Sequence, residues 1–120
     1  MDNFITKEIL IKFIVKEIDS DREVFKSQLN YFLIHLDELR NAGSDTAKQG
    51  YLAHKIRAGC QIFGAMKLES ALKQIEIKAR SNLLKINSEL FINTIVIINP
   101  TLLEINKISD DFFEGTKKSG

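Results

Sequence analysis

The sequence predicts an all-α domain, an up-down antiparallel four-helix bundle with an additional N-terminal helix. Three observations lead to this prediction. Apolar residues recur three or four positions apart along most of the chain, which is the period of an amphipathic helix. The 120 residues include one proline and six glycines, so long helices are permitted. Only short breaks separate the periodic segments, and short connections favour antiparallel neighbours.

The first two helices are separated by a polar break. An apolar segment runs from about residue 4 to residue 18. Asp19-Ser20-Asp21 interrupts it and supplies good N-cap residues for the next helix. That second helix is predicted over residues 22–40. Its expected core positions are Val24, Phe25, Leu29, Phe32, Leu36 and Leu39.

The third and fourth helices follow in the same way. Residues 41–45 combine a helix stop with a new cap, and the third helix is predicted over residues 46–63, with its end at Gly64. The fourth helix is predicted from residue 67 to about residue 84. The face of it that should be turned to the core carries Leu68, Ala71, Leu72, Ile75 and Ala79.

The fifth segment begins near residues 87–89. Residues 90–98 are rich in β-branched side chains and could form a strand by composition. A lone strand in a helical domain would have no partner, so we expect a helix. Pro100 should break this helix near Asn99 because proline removes a helical hydrogen bond. A further helical piece is expected over residues 101–108.

The N-terminal segment is apolar on more than one side. More apolar surface than one face can bury indicates either a self-association surface or packing against the long final segment, which is similarly apolar. We prefer the packing, because both segments then find a partner. On this view residues 1–114 form a single domain, and residues 115–120 form a flexible tail.

Composition excludes several classes of function. The chain has 17 basic and 16 acidic residues, without the basic patch that nucleic-acid binding requires. Its one cysteine precludes an internal disulfide and suits a reducing compartment. No apolar run reaches the roughly 18 residues that span a bilayer, and the N-terminus does not resemble a signal peptide. We therefore expect a cytoplasmic protein without direct membrane insertion.

The most informative stretch lies in the third helix, between His54 and Ala65. Residues three, four and seven apart share a helix face, so His54 is aligned with Arg57, Ala58 and Gln61. An imidazole is thereby presented outward on an open surface, which suits a reaction partner that is itself a protein. The opposite face should meet the core and carries Ala53, Ile56, Cys60 and Phe63.

This stretch resembles the signature of histidine phosphotransfer domains, the phosphoryl carriers of two-component phosphorelays. That family has a histidine, a Leu or Ile two residues on, a basic residue three on, small residues, an apolar residue and then Gly-Ala. The matching residues here are Ile56, Arg57, Ala58-Gly59-Cys60, Phe63 and Gly64-Ala65. The neighbouring helices are also similar, so the resemblance covers residues 18–78. One departure is Ala58, where the family usually has glycine.

The resemblance implies a function and a set of partners. His54 would accept a phosphoryl group from an aspartate of a receiver domain, in a response regulator or a hybrid sensor kinase, and pass it to another receiver aspartate. The receiver would supply Mg²⁺, so the chain needs no cofactor of its own. Nothing in the sequence resembles an ATP site, so self-phosphorylation is not expected. The sequence leaves open whether the chain stands alone or belongs to a hybrid sensor kinase.

The resemblance also assigns roles to the residues around His54. Glu76, on the fourth helix, would accept the Nδ1 proton and orient the imidazole. The alternative for Glu76 is an exposed ion pair with Arg80 four residues on, and the two are equally supported. Arg57 would stabilise the phosphoryl charge, and Gln61 is a further candidate for bonding the phosphoryl oxygens. The residues that would border the receiver-docking surface are Gly50, Tyr51, Lys55 and Ala58, and no metal site is expected.

Three hypotheses stay open at this point. The first is an active phosphorelay carrier. The second is an interaction module of the same fold that binds a receiver domain or a sensor kinase without accepting phosphate, which Ala58 keeps open. The third is a structural bundle that associates with itself through the apolar N-terminal helix. The second histidine, His35, lacks the surrounding pattern and is expected to be structural or simply exposed.

Overall fold

The computed structural model describes residues 3–43, 45–81 and 89–119, without the side chains of 116–119. Every regular element in this part of the chain is helical, so the all-α prediction is confirmed for it. No helix among these residues has both the length and the apolar character needed to cross a bilayer. The elements are α1 (Lys7–Lys12) with a π-helical continuation (Phe13–Glu17), α2 (Arg22–Arg40), α3 (Thr46–Phe63), α4 (Met66–Arg80) and α5 (Glu89–Ser119).

The boundaries of α2 and α3 are those predicted, because the capping residues act as expected. Asp21 accepts hydrogen bonds from two backbone N–H groups of the first turn of α2, at 3.0 and 3.1 Å. Asp45 accepts one from the N–H of Lys48 at 3.0 Å. Gly64 ends α3 with a φ of 75°, a left-handed conformation that favours glycine. These local signals position the helix that carries His54.

The end of α4 differs from the prediction. α4 ends at Arg80, with Ser81 as its C-cap. The carbonyl of Ile77 accepts hydrogen bonds from both the backbone N–H and the hydroxyl of Ser81, and a serine hydroxyl bonded in this way slightly destabilises a helix. The end predicted near residue 84 lies outside the described residues, and so does residue 87, where the fifth segment was predicted to begin.

The predicted core positions are largely confirmed. Phe25, Phe32, Leu36 and Leu39 of α2 are buried, as are Leu68, Leu72 and Ile75 of α4. Val24 is exposed, so its assignment to the core was wrong. The inward face of α2 is centred on Phe25 instead, and it buries His35, which the sequence left undecided.

α5 continues through Pro100, so the break predicted near Asn99 was wrong. Proline deprives the carbonyl four residues earlier of its partner. That residue is Val96, which is 65% exposed, so water can reach this side of the helix. On the inner side Ile98 and Thr101 are fully buried, and their packing favours a continuous helix. The helix predicted for residues 90–98 is confirmed, and α5 extends to Ser119, over most of the predicted tail.

Neighbouring helices run antiparallel. The ring of Phe32 lies against Gly59, and Phe25 meets Phe63 with ring centroids 5.9 Å apart, so α2 and α3 have opposite directions. α4 returns along α3 after a connection of two residues. α5 packs on α4, and its Phe113 lies 5.7 Å from Phe25 between ring centroids. The helix that carries His54 is therefore supported on two sides.

The N-terminal segment packs against α5, as expected, and also against α3. Three of its apolar side chains, Ile5, Leu10 and Ile14, are buried. The N–H of Thr6 donates a hydrogen bond to the carbonyl of Gly64 at 2.8 Å. The N–H of Ile5 donates to the carboxylate of Glu104 on α5. The segment thus holds the C-terminal end of α3, which is also the end of the signature stretch.

Candidate functional site

His54 stands on the outward face of α3. Its side chain is 67% exposed, whereas the four residues predicted to face the core, Ala53, Ile56, Cys60 and Phe63, are all buried. The division of α3 into two faces is therefore confirmed. Burial raises the pKa of the Cys60 thiol, so this cysteine is a packing residue and not a nucleophile.

Glu76 lies directly across from His54. The antiparallel course of α3 and α4 brings the two residues together, and His54 Nδ1 lies 2.5 Å from Glu76 Oε1. The Glu76 side chain is only 5% exposed. A carboxylate can only accept a hydrogen bond, so the proton of the imidazole is on Nδ1. The other ring nitrogen, Nε2, then carries a free lone pair.

Two arginines also bind Glu76. Arg57 donates from one terminal nitrogen to Glu76 Oε2 at 2.6 Å, and from Nε to Glu69 at 2.9 Å. Arg80 donates to Glu76 Oε1 at 2.6 Å, so it shares this oxygen with His54. Glu76 therefore contacts both His54 and Arg80, and its carboxylate is buried and not exposed.

The sequence interpretation missed Glu69 and gave Arg80 no role at the site. Glu69 lies seven residues before Glu76 on the same face of α4, and this spacing was the available signal. Arg80 was considered only as a surface partner of Glu76. The polar cluster of His54, Arg57, Glu69, Glu76 and Arg80 joins α3 to α4 by side-chain hydrogen bonds.

The charges of this cluster keep Glu76 ionised. Burial disfavours the charged carboxylate and by itself raises its pKa, but hydrogen bonds from Arg57 and His54 and their charges outweigh burial, so the pKa of Glu76 is lowered. The pKa of Arg57 is raised, chiefly by its hydrogen bonds to Glu76 and then to Glu69. At neutral pH a fixed carboxylate thus faces the imidazole.

A shallow depression of about 310 Å³ lies beside the imidazole. It is open to solvent, and this openness suits a reacting group carried on the surface of another protein. Its lining combines one acidic side chain with two bases and a phenol. The residues around it are Ala47, Gly50, Tyr51, His54, Glu76, Ala79 and Arg80.

The predicted docking residues fall into two groups. Tyr51, Lys55 and Ala58 are exposed around His54, and Lys55 Nζ lies 5.9 Å from the centroid of the Tyr51 ring. Gln61 is exposed two turns further along α3, and none of the hydrogen bonds described at His54 involves it. Gly50 is buried, because a Cβ there would lie 2.5 Å from the Cβ of Ala79. Its main effect is to let α3 and α4 approach closely.

The glycine that follows Ala58 has a packing role. A Cβ at Gly59 would lie 2.4 Å from Cδ1 of Phe32, so the ring of Phe32 occupies the space that a side chain would need. Ala58 points outward beside His54 instead. The two small residues therefore serve different surfaces, one facing the core and one facing solvent.

The comparisons with known proteins leave the family open. No protein-family model, no curated protein and no solved structure matches the chain. Among the described residues, no group of three or more His, Cys, Asp or Glu side chains could hold a metal ion. The residues of α3 and α4 and their geometry are therefore the basis on which a function is proposed.

Proposed function

We propose that this protein is a phosphorelay intermediary of the histidine phosphotransfer type. His54 accepts a phosphoryl group from a receiver-domain aspartate and passes it to another receiver aspartate. The observation that carries the proposal is that Nδ1 of an exposed histidine is bonded to a buried, ionised glutamate, while Nε2 keeps its lone pair. The proposal includes an up-down four-helix bundle, formed by α2 to α5, and a cytoplasmic location.

The transfer forms one bond and breaks one bond. The Nε2 lone pair attacks the phosphorus of an aspartyl phosphate, the P–O bond to the aspartate breaks, and its electron pair returns to the carboxylate. Nδ1 keeps its proton, so the phosphorylated ring is positively charged. In the next transfer a second aspartate attacks phosphorus, and the electron pair of the P–N bond returns to Nε2. Such phosphoryl transfers depend chiefly on positioning and charge neutralisation.

Glu76 and Arg57 support this chemistry in different ways. Glu76 fixes the tautomer and stabilises the positive ring, since its carboxylate accepts the Nδ1 proton at 2.5 Å. A ring that stays protonated is a better leaving group in the second transfer. Arg57 holds Glu76 in place from its other oxygen and adds positive charge near the phosphoryl group.

The partner is the receiver domain of a response regulator or of a hybrid sensor kinase. It supplies Mg²⁺ and most of the electrostatic stabilisation, which agrees with the open depression beside His54. Tyr51, Lys55, Ala58 and Gln61 are exposed on α3 and form the surface on which the receiver docks. Gly50 contributes by bringing α4 close to this surface.

The test is intact-mass spectrometry at neutral to alkaline pH, where phosphohistidine is stable. The protein is incubated with phosphorylated receiver domains and Mg²⁺ or, separately, with phosphoramidate as a donor that needs no partner. One phosphoryl group should be added to the parent and none to His54→Gln. The matched control is His35→Gln, which removes the other histidine of the chain and should still be phosphorylated.

Circular dichroism establishes that each variant is folded, and fragmentation of the labelled parent locates the phosphoryl group independently of both variants. Label on His54→Gln would contradict the assignment of the site. A folded parent that accepts no phosphoryl group from any donor would contradict the carrier function. Receiver binding by that unlabelled parent, unchanged in His54→Gln, would support the interaction module instead.

A further inference from the structure

The two arginines at Glu76 differ in how firmly they are held. Arg57 is bonded to two carboxylates, those of Glu69 and Glu76, and its side chain is 24% exposed. Among the residues that the structure describes, Arg80 makes one hydrogen bond, to Glu76, and its side chain is 71% exposed. Moving Arg57 towards a new anion would break two hydrogen bonds to largely buried carboxylates, although Glu76 would keep its bonds to His54 and Arg80. Moving Arg80 would break one bond at the protein surface.

The position of Arg80 places it on the same depression as the imidazole. Arg80 and His54 both line the opening beside α3, and both donate to the same oxygen, Glu76 Oε1. A phosphoryl group on Nε2 adds close to two negative charges next to this opening. Guanidinium groups bind phosphoryl oxygens through paired N–H donors. Lys55, the other exposed cation near His54, lies by the ring of Tyr51.

We propose that Arg80 is the residue that binds the phosphoryl group on His54, moving to it from Glu76 when the group arrives. This inference rests on the proposed function and adds a residue to it. Arg57 then acts as a positioning residue that holds Glu76, and the direct contact with the phosphoryl group is made by Arg80.

The movement has a consequence for the imidazole. While Arg80 is bonded to Oε1, that oxygen divides its acceptor capacity between a guanidinium and the Nδ1 proton. Once Arg80 leaves, Oε1 is bonded to Nδ1 alone among the hydrogen bonds described here. The hydrogen bond to the positively charged ring then strengthens at the time when the ring carries the phosphoryl group. One arginine thus couples the phosphoryl group to the carboxylate that orients the ring.

The experiment compares the lifetime of the phosphorylated state in four proteins. The parent, Arg80→Ala, Arg80→Lys and Lys78→Ala are phosphorylated with phosphoramidate, freed of donor, and followed by intact mass at neutral pH. Lys78→Ala is the matched control, because it removes one exposed positive charge from α4 two residues away. In a loose transition state the leaving phosphoryl group carries less negative charge than in the ground state, so a cation that binds it slows its loss.

We expect Arg80→Ala to lose the group roughly three- to fivefold faster than the parent, the scale of an exposed ion pair. Lys78→Ala should match the parent, and Arg80→Lys should recover part of the lifetime. A second readout is the arginine Nε–H signals in ¹H–¹⁵N spectra, assigned with Arg80→Lys and Arg57→Lys. The Arg80 signal should move on phosphorylation further than the Arg57 signal.

Each outcome decides the inference. Equal lifetimes of Arg80→Ala and Lys78→Ala, or an Arg80 signal that does not move, would overturn the role of Arg80 and leave the carrier function intact. A larger movement of the Arg57 signal would return the direct contact to Arg57. If the parent is not phosphorylated, both the carrier function and the role of Arg80 are wrong.

Discussion

The side chains around His54 have two kinds of proposed role: some take part in the chemistry, and others hold a neighbouring side chain in position. The imidazole is exposed and Glu76 is buried; in the proposed function the imidazole carries the reactive nitrogen, and its bond to Glu76 determines which nitrogen reacts. Glu76 in turn depends on Arg57, because an ionised carboxylate at such a depth needs a cationic partner. The orientation of His54 therefore depends on the buried ion pair between Glu76 and Arg57.

The variant Glu76→Gln tests this dependence through stability. The glutamine amide places an NH₂ group, itself a donor, against N–H groups that donate to the carboxylate in the parent. We therefore expect the free energy of unfolding at pH 7 to fall by about 2–3 kcal/mol. The measurement is urea denaturation. Glu114→Gln, at an exposed position of α5, is the control and should change stability little.

The loss in Glu76→Gln should also depend on pH. The pKa of Glu76 is lowered in the folded protein, so its contribution is fully present above the unfolded value of about 4.3 and is lost as the pH falls through the folded value. The difference between parent and variant should therefore shrink below about pH 4. A difference that is constant from pH 7 to pH 3 would contradict the ionised carboxylate.

The helices are held at their separations by small residues. Gly50 lets α4 approach α3, and Gly59 accommodates Phe32 of α2. Both glycines lie on α3, the helix that carries His54. Because glycine has no side chain, these two positions set the distances from α3 to α4 and to α2. The small residues of α3 thus have two effects. They allow close packing on its inner side, and they leave an open surface on its outer side.

Gly59→Ala distinguishes packing from helix propensity. Propensity alone predicts a gain of about 1 kcal/mol for Gly to Ala in a helix. The new Cβ would lie 2.4 Å from Cδ1 of Phe32, whose ring packs 5.1 Å from that of Phe63, so we expect a net loss of about 1–2 kcal/mol. Gly115→Ala, where nothing lies within 4 Å of the new Cβ, should be neutral or stabilising. A gain in Gly59→Ala by chemical denaturation would show that Phe32 can move aside.

Pro100→Ala tests why α5 is continuous. The helix already passes through this position, so alanine restores a backbone N–H and removes the clash of the ring with the preceding turn. We expect the free energy of unfolding to rise by about 1–3 kcal/mol. Leu103→Ala, on the exposed side of α5, serves as the control in the same urea titration. An unchanged or lower stability of Pro100→Ala would mean that Pro100 serves the native packing.

In the whole molecule the N-terminal segment and the four long helices share one core. Ile14 is fully buried, and Phe13 meets Phe63 of α3 with ring centroids 5.7 Å apart. The segment is therefore expected to unfold together with the rest of the protein. This arrangement uses the apolar surface that the sequence left open to self-association.

Ile14→Ala should lower the free energy of unfolding by about 2–4 kcal/mol, since it leaves a cavity in the core. Val15→Ala, at the neighbouring exposed position, should cost less than about 1 kcal/mol. Both are measured by urea denaturation, and each protein should show a single transition. Equal and small effects of the two changes, or a separate early transition, would show that the segment is not part of the cooperative unit.

The sequence by itself determined the helical class, the limits of α2 and α3, and the two faces of the helix that carries His54. These properties are local, because caps, a left-handed glycine and apolar periodicity act within a few residues. The resemblance of the signature stretch and of the helix after it to a known family also indicated His54 and Glu76 as a pair.

Only the tertiary structure decided what surrounds that pair. The distance and rotation of α4 against α3 determine the burial of Glu76 and its hydrogen bonds with Arg57 and Arg80. They also determine the hydrogen bond between Arg57 and Glu69. The continuity of α5 through Pro100 depends on which side of that helix faces water. Such properties arise from contacts between residues far apart in the chain, and the pattern within one helix does not contain them.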